Sequence, residues 1–230
     1  MNELYIYHYL GLGDHIICNG IVRHYAKLYD KIYLFVKDNN FESVKFMYHD
    51  LNNIDYIVGT VYSDGVDIFV YPYLDKENLL RVSYQNPDLP FDESFYFQVG
   101  IPFEKRWSDF FVERDEQREM DLFNHFNING EYIFLHDDDD RKIKINREYI
   151  ENKNLRIITP EKNFTKNIFD YCYLIENAKE IHCIDSSFRL IADSINIKTD
   201  FLFYHINRGH GNEKIYSSSR NNWKKIKTII

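Results

Sequence analysis

The amino-acid sequence predicts an α/β protein with two domains, each built on a parallel β-sheet with helices on both faces. Three observations support this prediction. Short apolar runs alternate with amphipathic segments at the spacing of β-α-β units. Several runs are apolar throughout, as strands are when helices cover both faces of their sheet. The length of 230 residues also allows two small domains, of about 100 to 120 residues each.

The first half of the chain contains the segments of one such domain, in the order strand, helix, strand, helix, strand, strand. They are predicted from the runs ELYIYHYL, HIICNGIVRHYAKLY, KIYLFVK, FESVKFMYHDL, IDYIVG and VDIFVY. From residue 74 to residue 107 the periodicity is lost, and prolines 72, 87, 90 and 102 interrupt any long element. We expect a helical or irregular excursion there.

The second half repeats the alternation of strands and helices. A charged helix, ERDEQREMDLFNHFN, carries Leu122, Phe123 and Phe126 on one stripe. The runs EYIFLH, LRIITP, NIFDYCYLIENA, EIHCIDSS, FRLIADSI and TDFLFYH follow it. We therefore predict a division near residues 115 to 130, with Rossmann-like domains at residues 1–120 and 121–230.

Composition and charge exclude several classes of protein. The 36 acidic residues outnumber the 28 basic ones, and the resulting charge of −8 disfavours binding to nucleic acid. No apolar run approaches the roughly 20 residues that a transmembrane helix needs. The sequence starts without a basic region and apolar leader, so we expect a cytoplasmic protein. The 19 tyrosines and 18 phenylalanines are interpreted as a compositional bias of AT-rich coding sequence.

The cysteines and histidines do not form a metal-binding pattern. Cys18, Cys172 and Cys183 include no C-x-x-C pair, and their odd number does not suggest a disulfide framework. We expect buried free thiols. No H-E-x-x-H motif is present, and His24 is interpreted as a structural residue of a helix. The glycine-containing segment INRGHG, from His205 towards His210, is expected to form a turn or a loop that closes over a site.

The most distinctive stretch is the turn HYLGLGDH, where the first strand gives way to a helix. Gly11 and Gly13 allow a ligand to approach the backbone at the carboxyl end of the strand. The pattern is not the dinucleotide fingerprint, because Ile16 stands where the third glycine is needed, and it is not a P-loop. The carboxylate of Asp14 has two interpretations, a catalytic base or a helix cap.

Histidines flank the same turn. His8 ends the predicted strand and His15 begins the predicted helix. Each is a candidate for a hydrogen bond to a substrate or for orienting Asp14. Together with Gly11 and Gly13, they form our candidate substrate-binding set.

A second turn follows the strand EIHCI. Ser186 and Ser187 stand at a predicted helix N-terminus, where unpaired amides attract an anion, and Arg189 follows them. These residues could cradle a diphosphate. The alternative is an ordinary cap, in which Asp185 or Ser186 closes the helix.

A third candidate is the segment YIFLHDDDDRKIKI. His136 ends the strand, and Arg141 follows four aspartates. Both are candidate ligand-binding residues. The acidic run at 137–140 is interpreted as a solvated loop, and we do not expect a required metal ion.

Two of these segments resemble a known family. HYLGLGDHIICNGIVRHYA and NAKEIHCIDSSFRLIADSI are similar to the conserved turns of the ADP-heptose:lipopolysaccharide heptosyltransferases and related glycosyltransferases of the two-domain GT-B fold. The resemblance implies that Asp14 is the catalytic base and that Asp185, Ser186 and Ser187 face the phosphates of the donor. The Gly-Pro-x-His of that family is replaced by residues 187–190, Ser-Phe-Arg-Leu, so the identity of the donor is not implied.

The resemblance implies a shortened GT-B-like enzyme that moves a sugar from a nucleotide-diphosphate donor to a hydroxyl acceptor in a cleft between its domains. By analogy, transfer would invert the anomeric centre without a metal ion, and the nucleotide sugar would be a co-substrate with no further cofactor. One alternative is a non-catalytic module that binds a sugar or a protein partner. A second is an enzyme of another Rossmann-like class, which the missing third glycine disfavours.

Overall fold

The computed structural model describes residues 2–60, 68–139, 141–161, 163–206 and 217–227. The chain forms two compact units, as the alternating pattern predicts. The first unit contains Met1–Glu113 and Lys214–Ser218, and the second contains Arg114–Glu213 and Ser219–Ile230. The main division therefore falls between Glu113 and Arg114, a few residues before the predicted one. We predict an acceptor-side domain at residues 1–120 and a nucleotide-sugar-binding domain at residues 121–230, and these roles stay predictions.

The first unit is built on a parallel sheet of four strands in the order β3-β2-β1-β4. The strands are β1 (Glu3–His8), β2 (Lys31–Lys37), β3 (Ile54–Gly59) and β4 (Leu79–Val82). His8 pairs with Val82, and Lys37 pairs with Gly59. The carboxyl ends of all the strands therefore lie along one edge of the sheet.

Five α-helices accompany this sheet. They are α1 (Leu12–Ile17), α2 (Asn19–Ala26), α3 (Phe41–Met47), α4 (Phe91–Gln98) and α5 (Lys105–Ser108). The helix predicted after the glycine turn is thus divided in two at Cys18, whose φ of −81° and ψ of 2° interrupt it. The helices α4 and α5 occupy the stretch where an excursion was expected.

The sixth predicted segment of the first domain was wrong in its type. The run VDIFVY was predicted to be a strand, but its described residues begin a 3-10 helix at Ile68–Tyr73. Pro72 lies inside this helix and has no N–H to donate to a sheet ladder. The fourth strand is instead the short segment β4, which the sequence did not reveal because it is only four residues long.

The second unit contains a parallel sheet of five strands in the order β6-β5-β7-β8-β9. Its strands are β5 (Tyr132–His136), β6 (Arg156–Ile158), β7 (Glu180–Ile184), β8 (Leu202–Ile206) and β9 (Lys224–Lys227). Its α-helices are α6 (Glu116–His125), α7 (Cys172–Glu176) and α8 (Ser187–Ser194). Only β9 was not predicted, because KKIK is largely polar and lies at an edge of the sheet.

Apolar side chains from both faces of each sheet make up the cores. In the second unit, Ile133, Leu135 and Ile184 of the central strands pack against Ile145 and Ile150. Each such side chain contributes about 1.5 to 3 kcal/mol by leaving water. The three cysteines are free and buried, as expected. Within the described ranges, no helix combines the length and the apolar character needed to cross a bilayer.

Candidate active site

The glycine turn places a carboxylate against the backbone at the carboxyl end of β1. Gly11 is the N-cap of α1, and Asp14 lies in the first turn of that helix. The side chain of Asp14 folds back over Gly11, so that a carboxylate oxygen lies 2.6 Å from the position that a β-carbon on Gly11 would take. With φ at −67°, Gly11 is needed for this close approach and not for an unusual backbone angle.

The capping interpretation of Asp14 finds no support at the N-cap. That position belongs to Gly11, and no side chain caps α1 there. Asp14 lies inside the helix, where its carboxylate is near the positive end of the helix dipole. Gly13 lies beside it in the same first turn. The role of Asp14 as a base stays a prediction.

His8 and His15 lie behind this turn. Their rings meet edge to face with centroids 4.3 Å apart, and both side chains are fully buried. His8 Nδ1 lies 2.6 Å from the carbonyl oxygen of Tyr9. Nε2 of His8 and both ring nitrogens of His15 have no hydrogen-bond partner in the described part of the chain. Sugar binding by either residue stays a prediction, and neither is exposed in this structure.

Burial keeps both imidazoles neutral. It lowers the pKa of His8 to about 4, although the hydrogen bond to Tyr9 opposes the shift. It also lowers the pKa of His15 well below its usual value, helped by the charges of His8 and Lys37. Both rings beside the turn are therefore neutral near pH 7.

In the second unit, the turn after β7 exposes a helix N-terminus. Ser186 is the N-cap of α8 and adopts an extended conformation with φ at −155° and ψ at 167°. No side chain caps this helix, and the hydroxyl of Ser186 is enclosed without a hydrogen-bond partner among the residues described. The predicted capping role of Ser186 is therefore not realised. Ser187 begins the helix, and Asp185 stands directly before the cap.

His136 lies next to this turn. It ends β5 and pairs in register with Cys183 of β7. Its ring contacts Phe188 in the first turn of α8, with centroids 4.5 Å apart. Burial lowers the pKa of His136 to about 4, and Nδ1 has no partner within the described residues. The structure thus places the ring of His136 against the first turn of α8, and its role in donor binding stays a prediction.

Arg189 is placed differently from what its predicted role requires. Its side chain is fully buried, and its guanidinium forms an ion pair of 2.8 Å with Asp193 one helical turn later. It also donates to the hydroxyl of Ser219 and lies over the ring of Tyr204. A further nitrogen of the guanidinium lies 3.8 Å from the carboxylate of Asp185 in the turn. Direct contact with a donor phosphate stays a prediction.

Asp193, the acidic partner in this ion pair, also contacts the segment just before β9. Its carboxylate accepts hydrogen bonds from the amide of Asn221 and from the indole of Trp223. A similar pair exists in the first unit, where Asp92 and Arg106 are both buried and ion-paired. There Asp92 accepts hydrogen bonds from the amide and the hydroxyl of Ser218, at 2.9 and 3.2 Å.

The acidic run is neutralised by neighbouring bases. Asp138 forms an ion pair with Arg141 at 2.5 Å, and Asp137 forms one with Arg147 at 2.7 Å. Lys144 contacts Asp139. The described aspartates therefore form a salt-bridged turn, and Arg141 is partly exposed at its surface. No group of three or more potential metal ligands occurs in the ranges that the structure describes.

Sequence reasoning missed a buried polar network in the second unit. Glu180 and His182 of β7 are joined at 2.6 Å, and His182 contacts His205 of β8 at 2.9 Å. All three side chains are fully buried. The sequence did contain a signal for this network. Glu180 and His182 are two residues apart in a strand, so their side chains lie on the same face. Most of the loop after His205, including His210, lies outside the described residues.

A group of aromatic side chains near the glycine turn was also missed. Tyr9 and Tyr84 both contact Phe91 beyond the carboxyl ends of β1 and β4. Sequence reasoning attributed the many aromatic residues to composition. The position of Tyr9, directly after the last residue of a strand, was the available signal.

Comparison with known proteins agrees with the fold. A glycosyltransferase family 9 protein from Veillonella parvula matches with a TM-score of 0.60 and 8% identity, covering 100% of this chain and 88% of that one. The E. coli ADP-heptose lipopolysaccharide heptosyltransferase II matches with a TM-score of 0.51 and 10% identity, covering 100% and 91%. The predicted GT-B-like fold is confirmed.

A third similar structure is that of TibC from enterotoxigenic E. coli, an iron-containing dodecameric glycosyltransferase. It matches with a TM-score of 0.54 and 10% identity, and the match covers 94% of this chain but 60% of TibC. No protein-family model and no curated protein matches the sequence. At these identities the comparisons establish the fold of the chain.

Proposed function

We propose that this protein is a glycosyltransferase that moves a sugar from a nucleotide-diphosphate donor to a hydroxyl acceptor, in the synthesis of a glycan or cell-surface polysaccharide. One observation carries the proposal. In a fold shared with glycosyltransferases, each parallel sheet ends in a turn with the chemistry that one half of this reaction needs. The first turn presents a carboxylate, and the second presents an uncapped helix N-terminus.

The first unit supplies the base in this proposal. The carboxylate of Asp14 accepts the proton of the acceptor hydroxyl as its oxygen attacks the anomeric carbon of the donor. The bond from that carbon to the diphosphate breaks in the same displacement, so the configuration is inverted. Gly11 and Gly13 keep the backbone free of side chains here, and the neutral rings of His8 and His15 support the turn from behind.

The second unit binds the donor in this proposal. The amides at the N-terminus of α8 and the hydroxyls of Ser186 and Ser187 stabilise the negative charge on the departing diphosphate. His136 lies beside them, while Arg141 and Asp185 lie on the same edge. A helix N-terminus meets this charge without a metal ion, so we propose metal-independent transfer.

A structural neighbour supports a nucleotide sugar as the donor. TibC, described as a heptosyltransferase, has been crystallised in complex with ADP-D-β-D-heptose. That match has a TM-score of 0.51.

One observation favours the alternative of a non-catalytic binding module. The guanidinium of Arg189 is enclosed and lies 2.8 Å from the carboxylate of Asp193 and 3.8 Å from that of Asp185, so its charge is already matched within the protein. A module that has lost catalysis could keep this architecture for binding alone.

A thermal-shift screen followed by an activity assay tests both functions. UDP-, GDP-, ADP- and CMP-sugars are added separately, and one of them is expected to raise the melting temperature. That nucleotide sugar is then incubated with the protein, and release of the nucleoside diphosphate is measured with and without saccharide acceptors. Binding without release would support the module. Absence of any thermal shift would contradict the proposed enzyme.

A further inference from the structure

Four aromatic side chains lie beyond the carboxyl ends of β1 and β4. We call them the aromatic platform, and they are Tyr9, Tyr84, Phe91 and Phe95. Tyr9 follows the last residue of β1, and Tyr84 comes two residues after the end of β4. Because β1 and β4 are neighbouring parallel strands, these two side chains start from the same edge of the sheet. Asp14 follows Tyr9 by five residues at that edge.

The aromatic platform is partly exposed to solvent and is not a closed core. Tyr9 and Phe91 are stacked with an interplanar angle of 17° and centroids 5.9 Å apart, and Tyr9 is 43% exposed. Phe95 is fully buried beneath them and contacts both rings. The ring of Tyr84 also contacts Phe91, with centroids 5.6 Å apart. Tyr9 thus leaves part of its ring exposed, while the stacked ring of Phe91 and the buried ring of Phe95 support it.

Hydrogen bonds hold the platform in place before any ligand arrives. The hydroxyl of Ser94 in α4 accepts hydrogen bonds from the amides of Gln85 and Asn86, at 3.2 and 3.0 Å. Gln98 of the same helix accepts from the amide of Ser83 at 2.8 Å. These bonds fasten the segment that carries Tyr84 onto the helix that carries Phe91. Binding of a ligand would therefore cost little free energy for ordering these side chains.

The hydroxyl of Tyr84 points to a ligand with polar groups. It is enclosed, and it has no hydrogen-bond partner in the described part of the chain. An enclosed hydroxyl without a partner costs free energy that a bound hydroxyl would recover. The platform itself contains no charged side chain, so a phosphate or carboxylate on the ligand would gain no ion pair from it.

We propose that the aromatic platform binds a neutral sugar ring, which the proposed function identifies as the acceptor. A pyranose ring has an apolar face of C–H groups and a rim of hydroxyls. The apolar face suits the stacked rings of Tyr9 and Phe91, and the hydroxyls suit the phenol groups of Tyr9 and Tyr84. A flat, rigid surface fits a ring better than it fits a flexible acyl chain. Naming the ring as the acceptor rests on the proposed function, whereas the binding of the ring does not.

Saturation-transfer NMR on the full chain tests this inference. The probes are the methyl β-pyranosides of D-glucose, D-galactose and D-mannose, with sorbitol as a control that has similar hydroxyls but no ring. We expect at least one glycoside, and not sorbitol, to receive saturation from the wild-type protein. Tyr9→Ala should weaken that binding about tenfold, because one of the two stacked rings is lost. Tyr84→Phe should weaken it less, through loss of a hydroxyl.

Phe97 provides the matched control. It lies on the same helix as Phe91 and is 67% exposed, but it is not part of the platform. Phe97→Ala should leave glycoside binding unchanged. The inference is wrong if no glycoside binds the wild type, if Tyr9→Ala binds as well as wild type, or if Phe97→Ala loses binding equally. Glycoside binding by a protein that binds no nucleotide sugar would contradict the proposed function and leave this inference standing.

Discussion

The carboxylate of Asp14 lies over Gly11, with an oxygen 2.6 Å from the place where a β-carbon would stand. Any other residue at position 11 would push this carboxylate away. The position of a candidate base is thus set by the absence of a side chain three residues earlier. The predictions that follow test this relationship and its counterpart in the second unit.

Gly11→Ala should reduce transfer without unfolding the protein. Alanine adopts the φ of −67° and ψ of 146° found at Gly11, so the melting temperature should be kept. Displacement of the Asp14 carboxylate should lower the transfer rate by at least about tenfold. Gly100→Ala is the control. Gly100 has a φ of +67° and open space around it, so this variant should lose stability and keep the transfer rate of the remaining folded protein.

Asp14→Asn separates the base from a merely structural role. Asparagine keeps the size and the hydrogen-bond acceptor of aspartate, but it does not accept a proton. We expect the melting temperature and donor binding to survive while turnover falls by about a hundredfold or more. Stopped assays of diphosphate release measure turnover. Transfer at the wild-type rate in a normally folded variant would remove Asp14 from the catalytic residues.

Ser186→Ala tests the donor turn. Because the hydroxyl of Ser186 has no partner among the described residues, its removal should change stability by less than about 0.5 kcal/mol. Loss of a hydrogen bond to a charged phosphate should weaken nucleotide binding about tenfold. Ser194→Ala, at the other end of α8, is the matched control. Its hydroxyl donates to the carbonyl of Leu190, so affinity should not change. Calorimetric titration with the nucleotide found in the screen measures both variants, and unchanged affinity in Ser186→Ala would refute the donor site.

Arg189→Ala should act mainly on stability. It leaves the buried carboxylate of Asp193 without its ion-pair partner, which typically costs about 3 to 5 kcal/mol. Urea unfolding measures the loss. The double variant Arg189→Met, Asp193→Asn should recover part of it, because neither charge then remains buried and the amide oxygen still accepts from Trp223. If Arg189→Ala instead unfolds like the wild type and loses only nucleotide affinity, the guanidinium binds the donor and does not stabilise the core.

Stability should fall as the pH falls towards 4. His8 and His136 have pKa values of about 4 in the folded protein, against an ordinary value of 6.5. Below pH 6.5 these histidines become protonated in the unfolded chain but stay neutral in the folded one. Their contribution to the free energy of unfolding therefore declines as the pH falls from 6.5 to 4, and it is constant above pH 6.5. Each such histidine contributes a slope of about 1.4 kcal/mol per pH unit. Urea unfolding across this range measures the slope, and His8→Asn should reduce it. A slope that stays the same in His8→Asn would show that this imidazole is not buried as a neutral group.

The fold could be predicted because parallel strands covered on both faces leave continuous apolar runs, as in β2 and β5. The strands β4 and β9 have no such signature, since they are short and carry charged residues. The type of the segment around Pro72 was predicted wrongly because an apolar run alone does not distinguish a strand from a short helix. The positions of the two candidate turns could be predicted because such turns follow the carboxyl ends of parallel strands, whereas their function stays a prediction.

The burial and the partners of the site residues could not be predicted from the sequence in this way. Burial of His8 and His15 depends on how the helix after the turn packs. The partners of Arg189 include Ser219, 30 residues later in the chain. A local pattern shows that a guanidinium follows a serine turn, but it does not show that the guanidinium turns inward. The aromatic platform likewise joins Tyr9 to a helix that begins at Phe91.

The hydrogen bonds of Asp92 also set an order of events during synthesis. Its carboxylate is buried beside Arg106, and it accepts the amide and the hydroxyl of Ser218, 126 residues further along the chain. The ribosome therefore produces nearly all of the first unit, and then the whole second sheet up to β8, before Ser218 exists. Although domains commonly fold in the order in which they emerge, the first unit cannot complete its interior until translation has passed through the second.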